Sequence, residues 1–182
     1  ITPEEPQEEL FTWLPFFEEM LNVICEKHNK ESLCEIIHDI FGDAGLLDTY
    51  PDGSKKPLKE IDPLTFIAFF NRNNTFPNRI EFCRQAKEVL GIKSDVPKDF
   101  EGIATFNPLK TWFFPGLITR AAGMEVLWEF AKELAEGHIS NSGYNDVLKI
   151  KHVGFSKLTQ IMAICKPTTY LPMNAKVRIY AN

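Results

Sequence analysis

The chain has 182 residues, 44% of them hydrophobic, with 15 Phe and 3 Trp, and carries a formal net charge of −5. That is enough apolar material to bury a core in one domain or two small lobes, and it excludes a disordered chain. No apolar run reaches the roughly 18 residues that a membrane span requires, and the acidic N-terminus lacks the order of a secretion signal, so the chain reads as soluble and cytoplasmic, with no membrane partner.

Residues 7–28 follow a helical pattern in which Pro15 either restarts or kinks the helix, placing Phe17, Met20, Leu21 and Ile24 on one face. Leu33, Ile36, Ile37 and Ile40 repeat that pattern in a second helix, which Gly42 can end. Residues 50–57 form a polar loop. Asp62-Pro63 then gives a cap and first position for a third helix through Phe66, Phe69 and Phe70. A fourth runs from about Pro77 to Leu90 and stops at Gly91, after which 92–106 connects two lobes. Asn107-Pro108 repeats the cap-and-proline signal ahead of Trp112, Phe113 and Phe114. Ala121 to Glu136 is strongly amphipathic and ends at Gly137. No strand pair stands out. The expected fold is all-α, about eight helices in two lobes, an acidic lobe over 1–95 and a second over 96–182, or one continuous domain over 1–182.

Beyond Gly137 the chemistry changes. Residues 147–182 carry Lys149, Lys151, Lys157, Lys166, Lys176 and Arg178 with no Asp or Glu, so this tail is +6 and the preceding residues are −11. Such asymmetry fits a phosphate-facing surface on an acidic body, or else a lysine-decorated solvated face. Within the tail, Lys151-His152-Val153-Gly154 lies between two helical stretches, and a third helix is expected to open near Asn174. That order is a helix-hairpin-helix. Gly154 lets another backbone approach closely, the following helix presents unpaired amides, and Lys151 and Lys157 flank the turn. The candidate DNA contacts are therefore Lys149, Lys151, His152, Gly154, Ser156, Lys157, Asn174, Lys176 and Arg178.

Two further groups offer base-contacting chemistry. Trp112 and Phe113, with Phe114, offer a stacking or wedge surface or pack as two core residues and one at the rim; Asn71 and Arg72, with Asn73 and Asn74, can bind phosphates or base edges or simply end a helix. Four cysteines at 25, 34, 83 and 165 show no repeated spacing and read as reduced, mostly buried thiols. Cys25, His28, Cys34 and His38 are a conceivable zinc set whose spacings fit no common finger, so no metal and no cofactor is expected. No Ser/His/Asp set and no paired carboxylates support catalysis.

The hairpin resembles the helix-hairpin-helix superfamily of DNA glycosylases, whose pattern runs Leu-Pro-Gly-Val-Gly and later Val-Asp-Thr. Here Lys151-His152-Val153-Gly154 stands for the turn, Ser156 falls where lyase-type members carry a nucleophilic lysine, and Asn174 falls where the catalytic Asp is expected. The resemblance implies the DNA-binding geometry without the carboxylate that base excision needs.

A second resemblance spans roughly residues 62–180. Thr65-Phe66-Ile67-Ala68-Phe69-Phe70-Asn71-Arg72, Asn78-Arg79-Ile80, Val96-Pro97-Lys98-Asp99-Phe100-Glu101-Gly102-Ile103, Lys110-Thr111-Trp112-Phe113-Phe114 and Leu127-Trp128-Glu129 are similar to the N-terminal region of McrB-type AAA+ proteins, the nucleotide-hydrolysing subunits of modification-dependent restriction systems. It implies a domain that reads double-stranded DNA, plain or carrying a modified base, for a GTP- or ATP-driven motor and a separate nuclease in antiphage defence. The chain has no Gly-rich loop ending in Gly-Lys-Ser/Thr, so a motor is expected to follow Asn182. The rivals are a divergent helix-hairpin-helix glycosylase and a protein–protein interaction module.

Overall fold

A computed structural model of the chain describes residues 10–72 and 74–173. They form a mainly α-helical protein of seven α-helices, two single-turn 3-10 helices and one two-stranded ribbon. Pro15 lies in the first turn of α1 (Leu14–Lys27), where its missing amide costs nothing, so it restarts the helix and does not kink it. Asn29 and Ser32 form a reciprocal capping box on α2 (Lys30–Phe41). In α3 (Pro63–Phe70) the Asp62 side chain accepts from the amides of Leu64 and Thr65, and every residue of the helix is buried. A helix apolar all round can only be central, and α3 packs against α1, α2, α5, α7 and α4 (Phe76–Leu90), with α5 spanning Arg120–Glu136 and α7 Phe155–Cys165. α6 (Asn141–Leu148) lies against α5.

Three sequence expectations are corrected. Seven α-helices, not eight, are present among the described residues, and the helix expected near Asn174 lies outside them. The polar loop at 50–57 is the turn of an antiparallel ribbon, β1 (Leu47–Thr49) with β2 (Lys55–Pro57), where Leu47 faces Pro57 and Thr49 faces Lys55. The strands are three residues each and almost wholly exposed, which leaves no apolar alternation to read. The helix expected from Asn107 lasts one turn, Pro108–Lys110, and Trp112, Phe113 and Phe114 follow it in non-helical backbone.

α1 packs against α3 and also against α5 and α7, so buried residues from Trp13 to Cys165 make one hydrophobic cluster. Loop 92–106 is strapped to this body. The Glu19 carboxylate accepts from the amides of Lys93 and Ser94, and the Asp99 carboxylate from those of Phe11 and Thr12. No helix among the described residues is long and apolar enough to cross a membrane.

Candidate nucleic-acid interface

α6 and α7 are joined by a tight turn in which Val153 is buried and its amide donates to the carbonyl of Ile150 at 3.0 Å. The left-handed residue of this turn is His152, with φ +75°; Gly154 has an ordinary extended backbone at φ −89° and ψ 162° and is the N-cap residue of α7. His152, and not Gly154, therefore carries the left-handed backbone of the turn. The signal was present, because His152 occupies the first glycine position of the hairpin pattern. A Cβ on Gly154 would meet nothing within 4 Å, so the backbone there is open to an approaching molecule. No side chain among the described residues caps the α7 N-terminus, which leaves the positive end of its dipole at the same place.

Opposite the turn runs the segment carrying the aromatics. Its position follows from three ties. The Phe113 amide donates to Thr65 Oγ1 at 3.0 Å, and that hydroxyl donates to the buried Asp62 carboxylate, whose pKa burial pushes up. Arg120 grips Asp48 of β1 with two hydrogen bonds, donates to the Pro115 carbonyl at 2.7 Å and lies 4.4 Å from the Phe114 ring centre. Gly123 completes the fit, since a Cβ there would come within 2.4 Å of the Pro115 ring.

Because this backbone is not helical, successive side chains diverge. Phe113 points into the core with no exposed surface, while Trp112 and Phe114 share the opposite side, their ring centres 5.1 Å apart. Phe113 is thus removed as a base contact; Phe114 lies beside Trp112 but is itself only 9% exposed, so the three pack as two core residues with Trp112 at the rim. Asn71 is removed too: it is fully buried, its amide donating to the Ile67 carbonyl and accepting from Arg79 at 2.7 Å. Arg72 is half-buried with its guanidinium 3.9 Å from the Phe69 ring centre. Asn73 lies outside the described residues.

Between hairpin and aromatic segment lies a cavity of about 770 Å³. Phe106, Trp112 and Phe114 form its apolar wall; Asn107, Lys110, His152, Ser156, Lys157 and Gln160 supply its polar groups. Among the described residues no carboxylate lines it. The fold thereby joins two groups that the sequence reading kept apart, the hairpin residues His152, Gly154, Ser156 and Lys157 and the aromatic Trp112. Sequence reasoning missed Asn107, Lys110 and Gln160 as lining residues. Only Asn107 had a local signal, and it was read as the start of a long helix.

The lysines are deployed unevenly. Lys157 turns inward, donating to the Trp112 carbonyl and lying 4.4 Å from the Phe113 ring centre; burial lowers its pKa to about 8, against the opposing pull of the Asp62 carboxylate. It is a wall of the cavity and not a surface phosphate contact. Lys149 pairs with Asp146 at 2.7 Å, and Lys166, deep in the surface, pairs with Glu18 at 3.0 Å. Lys151 and Lys110 are exposed and without an ion-pair partner among the described residues. Asn174, Lys176 and Arg178 lie outside those residues.

The conceivable zinc set does not gather. Cys34 Sγ and His38 Nε2 both donate to the Leu58 carbonyl, and among the described residues no three metal-binding side chains converge. All four cysteines are free, with thiol pKa values raised by burial.

The fold is a mainly helical domain packed around the buried α3. Its family follows from the sequence match: the chain belongs to DUF8425, a domain of unknown function, whose family model covers residues 13–182. No curated protein and no solved structure matches it.

Proposed function

We propose that the chain is a double-stranded-DNA-binding domain that reads DNA, including modified bases, for a McrB-like restriction motor acting with a separate nuclease in the cytoplasm. The observation that carries this reading is the carboxylate-free cavity in which a helix-hairpin-helix turn faces an aromatic wall. Lys110 and Lys151 contact phosphates as outward-facing charges, and the open backbone at Gly154 with the α7 N-terminus takes a third phosphate. His152 and Ser156 line the groove beside them. Lys149, Asn174, Lys176 and Arg178 extend the contact along the backbone. The likeness of residues 62–180 to McrB-type N-terminal regions supplies the motor and nuclease.

The test is duplex binding measured by fluorescence anisotropy. Lys110→Glu with Lys151→Glu should weaken binding by at least about tenfold while leaving the melting temperature unchanged, and wild-type affinity should fall steeply between roughly 50 and 200 mM salt. Salt-independent binding, or full affinity in the double variant, would remove phosphate contact as its basis and favour a protein partner.

One observation favours a second reading, a divergent glycosylase: the Lys157 amine, lowered to about 8, is a stronger nucleophile at neutral pH than an ordinary lysine. Release of free base from damaged or methylated duplexes, lost in Lys157→Met, would decide for it.

A further inference from the structure

We infer that the β1–β2 ribbon is a second DNA-contacting arm, in which Lys55 and Lys56 of β2 meet the phosphate backbone of the duplex that the hairpin turn engages; this rests on the DNA-binding reading above. The ribbon has no packing task that would explain it. Its strand residues are exposed apart from half-buried Asp48, and the chain enters and leaves it at two buried residues, Leu46 and Leu58, joined by the Leu58 amide donating to the Leu46 carbonyl at 2.8 Å. Beyond that pair it stands outside the core. Lys55, Lys56 and, at its foot, Lys59 are exposed and have no ion-pair partner among the described residues. The ribbon's two acids are engaged elsewhere: Asp48 by Arg120, and Asp52, at the tip, by the Ser54 amide at 2.9 Å. The cationic surface is therefore the side of β2 and not the tip.

An arm serves recognition only if it is held in place, and this one is tied down twice. Arg120, only 5% exposed, donates to both Asp48 oxygens, at 2.6 and 3.2 Å, and to the Pro115 carbonyl, so one buried cation joins the ribbon to the segment that follows the aromatics. Within the turn the Tyr50 amide donates to the Ser54 carbonyl at 2.8 Å and the Gly53 amide to the Tyr50 carbonyl at 2.9 Å, with Gly53 left-handed at φ +81°. Leu47, Asp48 and Leu58 share a cleft of about 210 Å³ with Trp112 and Phe114, the same residues that wall the larger cavity toward the hairpin. The aromatic segment, with its exposed Lys110, thus lies between two cationic elements, the turn carrying Lys151 and the ribbon carrying Lys55 and Lys56. Cations on separate, rigidly held elements suit an extended polyanion better than a compact acidic ligand.

The test is the salt dependence of duplex affinity, with hydroxyl-radical footprinting to locate the contact. Lys55→Ala with Lys56→Ala should leave the melting temperature unchanged. It should also lower the slope of log affinity against log salt by about 1.8, the value for two phosphate contacts, and shorten the protected stretch of backbone at one end. Lys27→Ala with Lys93→Ala is the control, since it removes two exposed lysines from elements that line neither cleft; its slope should change by less than about 0.5 and its footprint should stay whole. An unchanged slope or an unchanged footprint in the ribbon variant, or a change that the control pair matches, would overturn the arm while leaving the DNA-binding reading intact. Absence of duplex binding by the wild type would overturn both.

Discussion

Two of the cations that lie over phenylalanine rings, Arg79 and Lys157, do opposite things. Arg79 lies 3.8 Å from the Phe100 ring centre, donates to the Phe70 carbonyl at 3.2 Å and to Asn71 Oδ1 at 2.7 Å, while the Asn71 carbonyl takes the Phe106 amide. Arg79 Nε and Nη2, both ends of the Asn71 carboxamide and the Asn71 carbonyl are answered from inside, so the brace locks α3, α4 and the strap at 106 together. Lys157, against Phe113, is set into the wall of a cavity where the Lys110 and Gln160 side chains have no hydrogen-bond partner among the described residues. The difference teaches that residue type alone does not separate a structural from a binding cluster. Closure of the hydrogen-bond circuit does.

The comparison breaks most visibly at Arg79. Arg79→Ala leaves Asn71 Oδ1 and the Phe70 carbonyl without their side-chain donor in the core, and should cost about 3 kcal/mol in urea unfolding. Duplex affinity of the folded variant should stay within about twofold, since nothing in the brace reaches the cavity. A variant of full stability with lost binding would make the brace part of the site.

Lys157 sharpens the other side through pH. Its folded pKa, about 8, lies below the ordinary lysine value of 10.5, so between these values the unfolded chain holds more protons and wild-type stability gains as pH rises through that window. Lys157→Met lacks that gain, so the stability difference between variant and wild type should shift in favour of wild type from pH 8 to pH 10. Over the same rise wild-type duplex affinity should fall as the cavity wall loses its charge, and the variant should not follow. A parallel pH profile in both proteins would place the amine in solvent.

The smallest effect is expected at the hairpin turn. His152→Gly relieves the left-handed conformation and should stabilise by up to about 1 kcal/mol, whereas Gly154→Ala, in extended backbone with open space around it, should change stability by less than about 0.5 kcal/mol. Thermal melts check both. If Gly154→Ala destabilises strongly, the turn is packed and not presented. Its effect on duplex affinity should be the larger one, because the added methyl stands where a phosphate approaches.

Much of the fold was legible because its signals are local. Asp62-Pro63 capped α3, Gly91 and Gly137 ended α4 and α5 in left-handed conformations, and the apolar faces of α1 and α2 are buried as their spacing required. The candidate site was half legible. A tight turn joins α6 and α7, but Asn71 and Phe113 were left open between contact and packing and prove buried, and burial is not a property of neighbours in sequence.

The sequence by itself determined helix identity, the caps and stops, the charge asymmetry and the place of the hairpin, since each rests on backbone groups within about a turn of one another. Only the tertiary structure decided which cations face outward, that Phe114 and not Phe113 accompanies Trp112, and that residues some forty positions apart wall one carboxylate-free cavity. These depend on hydrogen bonds such as Phe113 to Thr65 and Arg120 to Asp48, made between segments 48 and 72 residues apart, which no local pattern encodes.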